Sequence, residues 1–276
     1  MQKLVKALNT DEVNTELMDQ KFFGSLRFLE SPGVPPTKFV RFYSKLEPDV
    51  LFDIMCGAHT NYSADQRMKK AFSWKLTPPS AMISFAASYD PGGADERLDE
   101  SKTLILRRSI AEAVDRTNAW MITDGNRMSM STRLAGQAVL YARNNFEASE
   151  PPMCVGVTAF KKISFDKSAV FAFSNKDYNG RVQQYNSSPA VGDDALSPLD
   201  PYHTHYLMVE DEAHVDTLRG RFERYISSND VSGDGIQTPK VGAHPATPQC
   251  PNLTGRARAG SQLTHIACSP RVLCAF

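Results

Sequence analysis

Apolar positions along this chain follow two periods. Ser80-Ala-Met-Ile-Ser-Phe-Ala86, Ala119-Trp-Met-Ile-Thr123, Met153-Cys-Val-Gly-Val-Thr-Ala159 and His205-Tyr-Leu-Met-Val209 are short continuous apolar runs. Such runs predict strands. Lys38-Phe-Val-Arg-Phe-Tyr43 alternates and predicts another. Between them the spacing changes to that of helices. Thr103 to Asn118 carries Leu106, Ile110, Ala113 and Thr117 on one face and Arg108, Glu112 and Asp115 on another. Met130, Leu134, Ala138, Tyr141 and Ala142 mark a second helix, and Leu218, Phe222, Tyr225 and Ile226 a third. Val50, Leu51, Ile54 and Met55 form a shorter stripe. It follows Pro48, which a first helical turn tolerates, and Gly57 is placed to close it. Strands separated by helices of this length pair in parallel, with the helices on the sheet faces. The predicted class is therefore α/β, a mostly parallel sheet flanked by helices. Ligands of such sheets bind at the carboxyl ends of the strands. Here those ends are Ala86–Asp90, Thr123–Met130 and the residues after Ala159.

The pattern also sets the expected boundaries. Residues 1–37 are polar, close on Ser31-Pro-Gly-Val-Pro-Pro36, and read as a flexible lead-in with room for one short helix. Residues 38–234 form the predicted domain. Within it, Lys161 to Asp200 is rich in Ser, Asn, Asp and Gly and too long for an ordinary connection. It is expected to be a functional loop or mobile. Residues 235–276 hold three of the five cysteines, five prolines and no periodic apolar pattern, so no packed element is predicted there. No strand is expected after Gln237-Thr-Pro239.

Charge changes the picture modestly. The 276 residues hold 31 basic and 31 acidic side chains, a balance that argues against a nucleic-acid platform. All the acidic residues precede Gly235, so residues 1–234 carry a net charge of −4 and the tail is purely basic. No apolar run reaches the length of a membrane span, and no secretory signal is legible at the start. An odd number of cysteines without paired spacing gives no disulfide framework and points to a reducing, cytoplasmic setting.

Four stretches carry candidate chemistry. Thr123-Asp-Gly-Asn-Arg-Met-Ser-Met130 joins a strand to a helix through a glycine turn, where backbone N–H groups and the helix dipole favour an anion. Its candidate ligand residues are Thr123, Asp124, Gly125, Asn126, Ser129 and Met130. From spacing alone an ordinary strand-to-helix turn with a Ser cap explains this stretch better, since a single glycine is a weak phosphate-loop signal. The neighbouring loop offers Ala87 and Ser88, small residues that admit a ligand close to the backbone, ahead of the turn Pro91-Gly-Gly93. His203-Thr-His205 places two imidazoles on one side of a strand. Structural histidines at the start of a strand explain this pair better than a metal site does, and no metal or cofactor is predicted. Arg219-Gly-Arg221 precedes an apolar helical stripe; an arginine there is either a phosphate clamp or part of a solvated face. No nucleophile elbow, HExxH or CxxC pair is present.

The order of these stretches resembles the N-terminal homology region of melastatin-type transient receptor potential (TRPM) channels, which contains a Rossmann-like SLOG module. Ala119-Trp-Met-Ile-Thr-Asp-Gly125 is similar to that family's Gly-Ala-Trp-Ile-Ile-Thr-Gly-Gly run, and Val155-Gly-Val-Thr-Ala-Phe160 to its Gly-Ile-Ala-x-Trp strand. The most specific likeness is Leu199-Asp-Pro-Tyr-His-Thr-His-Tyr-Leu-Met-Val-Glu-Asp211, followed by Arg219-x-Arg221-Phe-Glu-x-x-Ile226. The resemblance covers about residues 38–230. It implies a non-catalytic, cytoplasmic ligand-sensing and assembly domain, membrane-associated only through a parent channel. It implies a nucleotide-derived ligand such as ADP-ribose, with His205 and Arg221 joining the two loops, and other cytosolic repeats of a tetrameric channel as partners. Two departures stand out. Ser84-Phe-Ala-Ala-Ser88 replaces a Ser-x-x-Gly-Gly strand end, and Asp124 replaces a glycine, setting a carboxylate where a phosphate is expected. A scaffold that has lost its ligand is the main alternative. A SLOG-type nucleotide phosphoribohydrolase is the other, and Pro91-Gly-Gly93 lacks the Gly-Thr that such enzymes carry.

Overall fold

The parity of side chains in the apolar runs decides the layering. In the computed structural model the described residues are 22–42, 48–56, 74–85, 100–146, 150–165, 179–186, 196–210, 212–228 and 240–243. Their elements, in chain order, are β1 (Phe22–Phe28), β2 (Thr37–Phe42), α1 (Pro48–Cys56), β3 (Ala81–Phe85), α2 (Glu100–Thr117), β4 (Ala119–Thr123) and α3 (Met130–Asn145). There follow β5 (Cys154–Ala159), β6 (Val182–Tyr185), β7 (His205–Val209), α4 (Val215–Ser228) and β8 (Lys240–Ala243). Single 3-10 turns occupy Phe160–Lys162 and Glu212–His214.

The strands form one eight-stranded sheet in the order β6-β1-β2-β7-β5-β4-β3-β8. Every pairing is parallel except β1 with β2. This is the expected Rossmann-like α/β sheet, and strand parity assigns its faces. Trp120 and Ile122 of β4, Val155 and Val157 of β5, and Leu207 and Val209 of β7 pack with Leu51, Phe52 and Met55 of α1 and Leu218, Phe222 and Ile226 of α4. Ala119, Met121 and Cys154 turn the other way, onto Val114 of α2 and Ala135 and Val139 of α3. The continuous apolar runs thus mark strands covered on both faces. Helix α2 ends at Asn118, whose φ of +46° is the left-handed conformation that stops a helix.

Over β1, β2, β6 and β7 no helix among the described residues covers the second face. Phe160, Ile163 and Leu199, from connecting segments, cover Leu26, Phe28, Phe39, Tyr185, Tyr206 and Met208 instead.

Three expectations need correction. The lead-in assigned to residues 1–37 contains β1, which sits inside the sheet between β2 and β6. The Lys161–Asp200 loop contains β6 and a segment that closes the core. The 235–276 tail contains β8, which pairs Lys240 to Ala243 with Met82 to Phe85. Each was hidden for the same reason. Phe22-Phe-Gly-Ser-Leu-Arg-Phe, Val-Gln-Gln-Tyr and Lys-Val-Gly-Ala are short or interrupted by polar and glycine positions, and they are held by pairing rather than by their own pattern.

Candidate functional site

The turn after β4 lies at the carboxyl end of that strand, and its amides are turned inward. Gly125 N–H donates to Thr123 Oγ1 at 2.9 Å and Asn126 N–H to Asp124 Oδ1 at 3.1 Å. Arg127 N–H donates to the Pro198 carbonyl at 2.9 Å, Met128 N–H to Asn126 Oδ1 at 2.8 Å, and Ser129 N–H to the Asn126 carbonyl at 3.0 Å. Five consecutive amides from 125 to 129 therefore have acceptors within the chain. Asp124 also accepts the hydroxyl of Thr132, in the first turn of α3. Its carboxylate stands at the helix N-terminus, where the dipole stabilises an anion. Ser129, predicted to cap α3, makes no capping bond from its side chain and instead meets the Ser131 hydroxyl at 2.9 Å. Met130 is exposed at the start of the helix.

Glycine at 125 has two causes. Its φ is +71°, which side chains rarely adopt, and a Cβ there would lie 2.8 Å from the Tyr206 ring. Gly156 of β5 is bounded by the same ring, so Gly125 and Gly156 together seat Tyr206.

A segment from Ser197 to His203 straps this turn down. Asp200 N–H reaches the Gly125 carbonyl at 3.4 Å, and Asn126 and Leu199 form an antiparallel bridge. The Tyr206 hydroxyl donates to the Asp200 carbonyl at 2.6 Å. At the centre, His203 Nδ1 lies 3.1 Å from Asp200 Oδ1 and Nε2 lies 2.8 Å from Thr123 Oγ1. Burial opposes charge on His203, but the Cys154 sulfur and the Asp200 carboxylate outweigh it and push its pKa up to about 10. At neutral pH both ring nitrogens donate. A hydroxyl, an imidazole and a carboxylate in line have the outline of a nucleophilic triad. Here Thr123 and His203 are fully buried and Asp200 is 2% exposed. Buried in this way, the three groups tie the Ser197–His203 segment to the turn. The Asp200 carboxylate rests against Gly136 of α3, where a Cβ would collide with it.

Arginines close the rest of the carboxyl edge. Arg219 of α4 donates to the Phe85 carbonyl at 2.6 Å, Ser84 Oγ at 2.9 Å and the Ile122 carbonyl at 3.3 Å, and pairs with Glu223 at 2.8 Å. It ties α4 to the ends of β3 and β4. Arg41 of β2 donates to Glu210 Oε2 from Nε at 3.0 Å and from a terminal nitrogen at 2.7 Å, with its guanidinium 3.6 Å from the Phe160 ring centre. It fills the space above β2, β5 and β7.

The predicted site residues therefore divide. Thr123, Asp124, Gly125, Asn126, Ser129 and Met130 lie together at the carboxyl end of β4. Ala87 and Ser88 lie outside the described residues. His205 does not join the cleft: it begins β7, opposite Lys38 at the start of β2 and Val155 at the start of β5. Its ring packs on Trp74, centres 4.4 Å apart, and its Nδ1 meets Thr204 Oγ1 at 3.0 Å. Burial, with Lys38 nearby, pushes its pKa down to about 3. The two imidazoles expected on one side have separate surroundings, because His203 precedes the strand and escapes its alternation. Arg221 lies on α4 and is half-buried, and the guanidinium of Arg219 reaches the ends of β3 and β4. The helical period held that signal. At about 100° per residue, Arg219 lies beside the Leu218, Phe222 and Ile226 stripe and Arg221 lies further round. Arg41 and Glu210 were missed as well; a charged residue inside an apolar strand was their only signal. Among the described residues no three His, Cys, Asp or Glu side chains cluster as metal ligands, and no helix is long and apolar enough to cross a membrane.

Comparison with known proteins agrees with this architecture. The chain is 24% identical over 199 residues to human transient receptor potential cation channel subfamily M member 5. The aligned part is 69% of this chain and 15% of that protein, so the chain spans only a small part of its relative's length. The family model described as SLOG in TRPM matches residues 45–242, from just before α1 into β8. The chain belongs to the SLOG family found in TRPM proteins.

Proposed function

We propose that this chain acts as a non-catalytic, cytoplasmic sensing and assembly domain of a TRPM-type cation channel, packing against other cytosolic repeats of the tetramer. The observation that carries the reading is the family match across residues 45–242, which takes in α1 to α4 and the strands from β3 into β8. Its non-catalytic part is supported by the burial of Thr123, His203 and Asp200, a hydroxyl–imidazole–carboxylate series closed off from solvent. A nucleotide-derived ligand of the ADP-ribose type would sit at the carboxyl ends of β3 and β4, against Thr123–Met130 and α4, with Arg221 or Arg219 turned to its phosphates.

One observation favours the scaffold reading over the sensor. The amides of residues 125–129 already have acceptors, and Asp124 supplies the anion at the start of α3. Calorimetric titration of ADP-ribose into the parent, Asp124→Gly and Arg221→Ala decides between them. A sensor binds as the parent, gains affinity when the carboxylate is removed, and loses about 1.5–3 kcal/mol in Arg221→Ala if that guanidinium meets a phosphate. Absence of heat in all three leaves an assembly domain without a ligand. Release of free base from a nucleoside monophosphate would overturn the non-catalytic reading.

A further inference from the structure

We infer that the β4 turn and the Pro198–His203 strap open and close as one unit, locked by the hydrogen bonds of His203. It stands whether or not the cleft takes a ligand. Each side of the unit satisfies the other. Arg127 N–H is held by the Pro198 carbonyl, the Gly125 carbonyl receives Asp200 N–H, and Asn126 bridges Leu199. Thr123 Oγ1 holds Gly125 N–H from one side and His203 from the other, and His203 holds Asp200. Lifting the strap alone would strand Arg127 N–H and the buried imidazole of His203, and lifting the turn alone would strand Asp200. Buried polar groups without partners are costly, so partial opening is disfavoured relative to opening together.

The outer boundary of the unit is also set by the chain. Ser197 N–H donates to the Lys162 carbonyl at 2.8 Å, and Ser164 N–H donates to the Ser197 carbonyl at 3.0 Å, pinning the strap where it begins. Thr204 N–H donates to the Cys154 carbonyl at 3.0 Å, pinning it where β7 starts. Between those pins Pro198 and Pro201 have no N–H to offer the sheet, so the segment is held by Leu199, Asp200 and His203. Leu199 N–H donates to the Tyr185 hydroxyl at 2.9 Å, and Tyr202 N–H to Asp200 Oδ1 at 2.9 Å. The closed form leaves amides 125–129 without capacity for an outside acceptor. The strap is thus a built-in shut state of the turn, and any anion that claims those amides must first lift it.

Native-state amide exchange on the full chain tests this, read across low, sub-denaturing denaturant. Gly125, Arg127, Leu199 and Asp200 amides are expected to share one opening free energy below that of the β4 and β7 ladder. That opening should depend little on denaturant, because it exposes little surface. Thr123→Val keeps the side-chain volume and removes the hydroxyl, with its bonds to both Gly125 N–H and His203; it should speed exchange of all four amides by at least about tenfold. Thr123→Ser should restore the parent rates. Acceleration of Gly125 alone, or different opening free energies for turn and strap in the parent, overturns the inference. Should Thr123→Val not fold, Asp200→Asn weakens the same lock from the strap side and is held to the same two outcomes.

Discussion

His203 and His205 are two positions apart, yet the fold drives their protonation in opposite directions. His203 is held as an imidazolium between Asp200 and Thr123, its pKa raised to about 10. His205 is held neutral against Trp74, its pKa lowered to about 3. The unfolded reference for both is about 6.5. For His203 the native state binds the proton more tightly, so its contribution is complete below about pH 6.5 and is lost as pH rises toward 10. For His205 the unfolded state binds the proton more tightly, so stability is lost as pH falls from about 6.5 toward 3. The expected stability profile declines on both sides of neutrality, each limb belonging to one histidine. Denaturation midpoints between pH 4 and 9 should show the alkaline limb flattened in His203→Gln and the acid limb flattened in His205→Gln. An unchanged alkaline limb in His203→Gln would mean that the ring is neutral in the native state. This division is not legible in the spacing of the two residues. Residues two apart share a side only within a strand, and the first of this pair lies outside β7.

At the scale of elements, the strands and helices with strong periods were legible, and their relations were not. Ala119–Thr123 and His205–Val209 are strands with the predicted bounds because every position is buried. Helices α2 and α3 start and stop close to where the stripes do, with Asn118 ending one and Ser129 opening the other. Contacts between elements come from chemistry that periodicity does not carry, and α4 shows this. Its apolar stripe predicts only burial, whereas Arg219 and Glu223 fix it to the ends of β3 and β4. The Arg219 and Glu223 side chains are 12% and 5% exposed, so this is a buried pair. Removing one partner strands the other and leaves the Ser84, Phe85 and Ile122 acceptors unmet. Arg219→Met is expected to cost about 3–5 kcal/mol by chemical denaturation. The double change Arg219→Met with Glu223→Leu should recover more than half of that, since the stranded carboxylate is gone. A single change within about 0.5 kcal/mol of the parent would show the pair to be a surface contact of little worth.

Across the whole molecule, the sheet extends beyond the boundaries that composition suggested, and this has a measurable consequence. Residues 1–37 read as a lead-in because Gly24, Ser25 and Arg27 interrupt the apolar positions between Phe22 and Phe28. In the fold those residues make β1, which among the described residues joins β6 to the rest of the sheet. Leu26 and Phe28 are buried under Tyr185 and Phe39, and Gly24 lies against the Arg181 carbonyl, where a Cβ would lie 2.6 Å away. A chain starting at Lys38 loses both side chains from the core and leaves β2 without its antiparallel neighbour. Two such side chains are together worth roughly 3–6 kcal/mol of burial, before the loss of β6 is counted. The informative comparison is between chains starting at Phe22 and at Lys38, because both lack residues 1–21 and differ only in β1, the turn after it and Thr37, the first residue of β2. The shorter chain is expected to unfold at clearly lower denaturant, with a smaller slope because less surface is buried to begin with. Its Tyr185 should be exposed, since that ring packs on Phe28 with centres 4.9 Å apart. Equal midpoints for the two chains would place the domain boundary at residue 37 after all, and would make β1 and β6 an appendage to a self-sufficient six-stranded sheet.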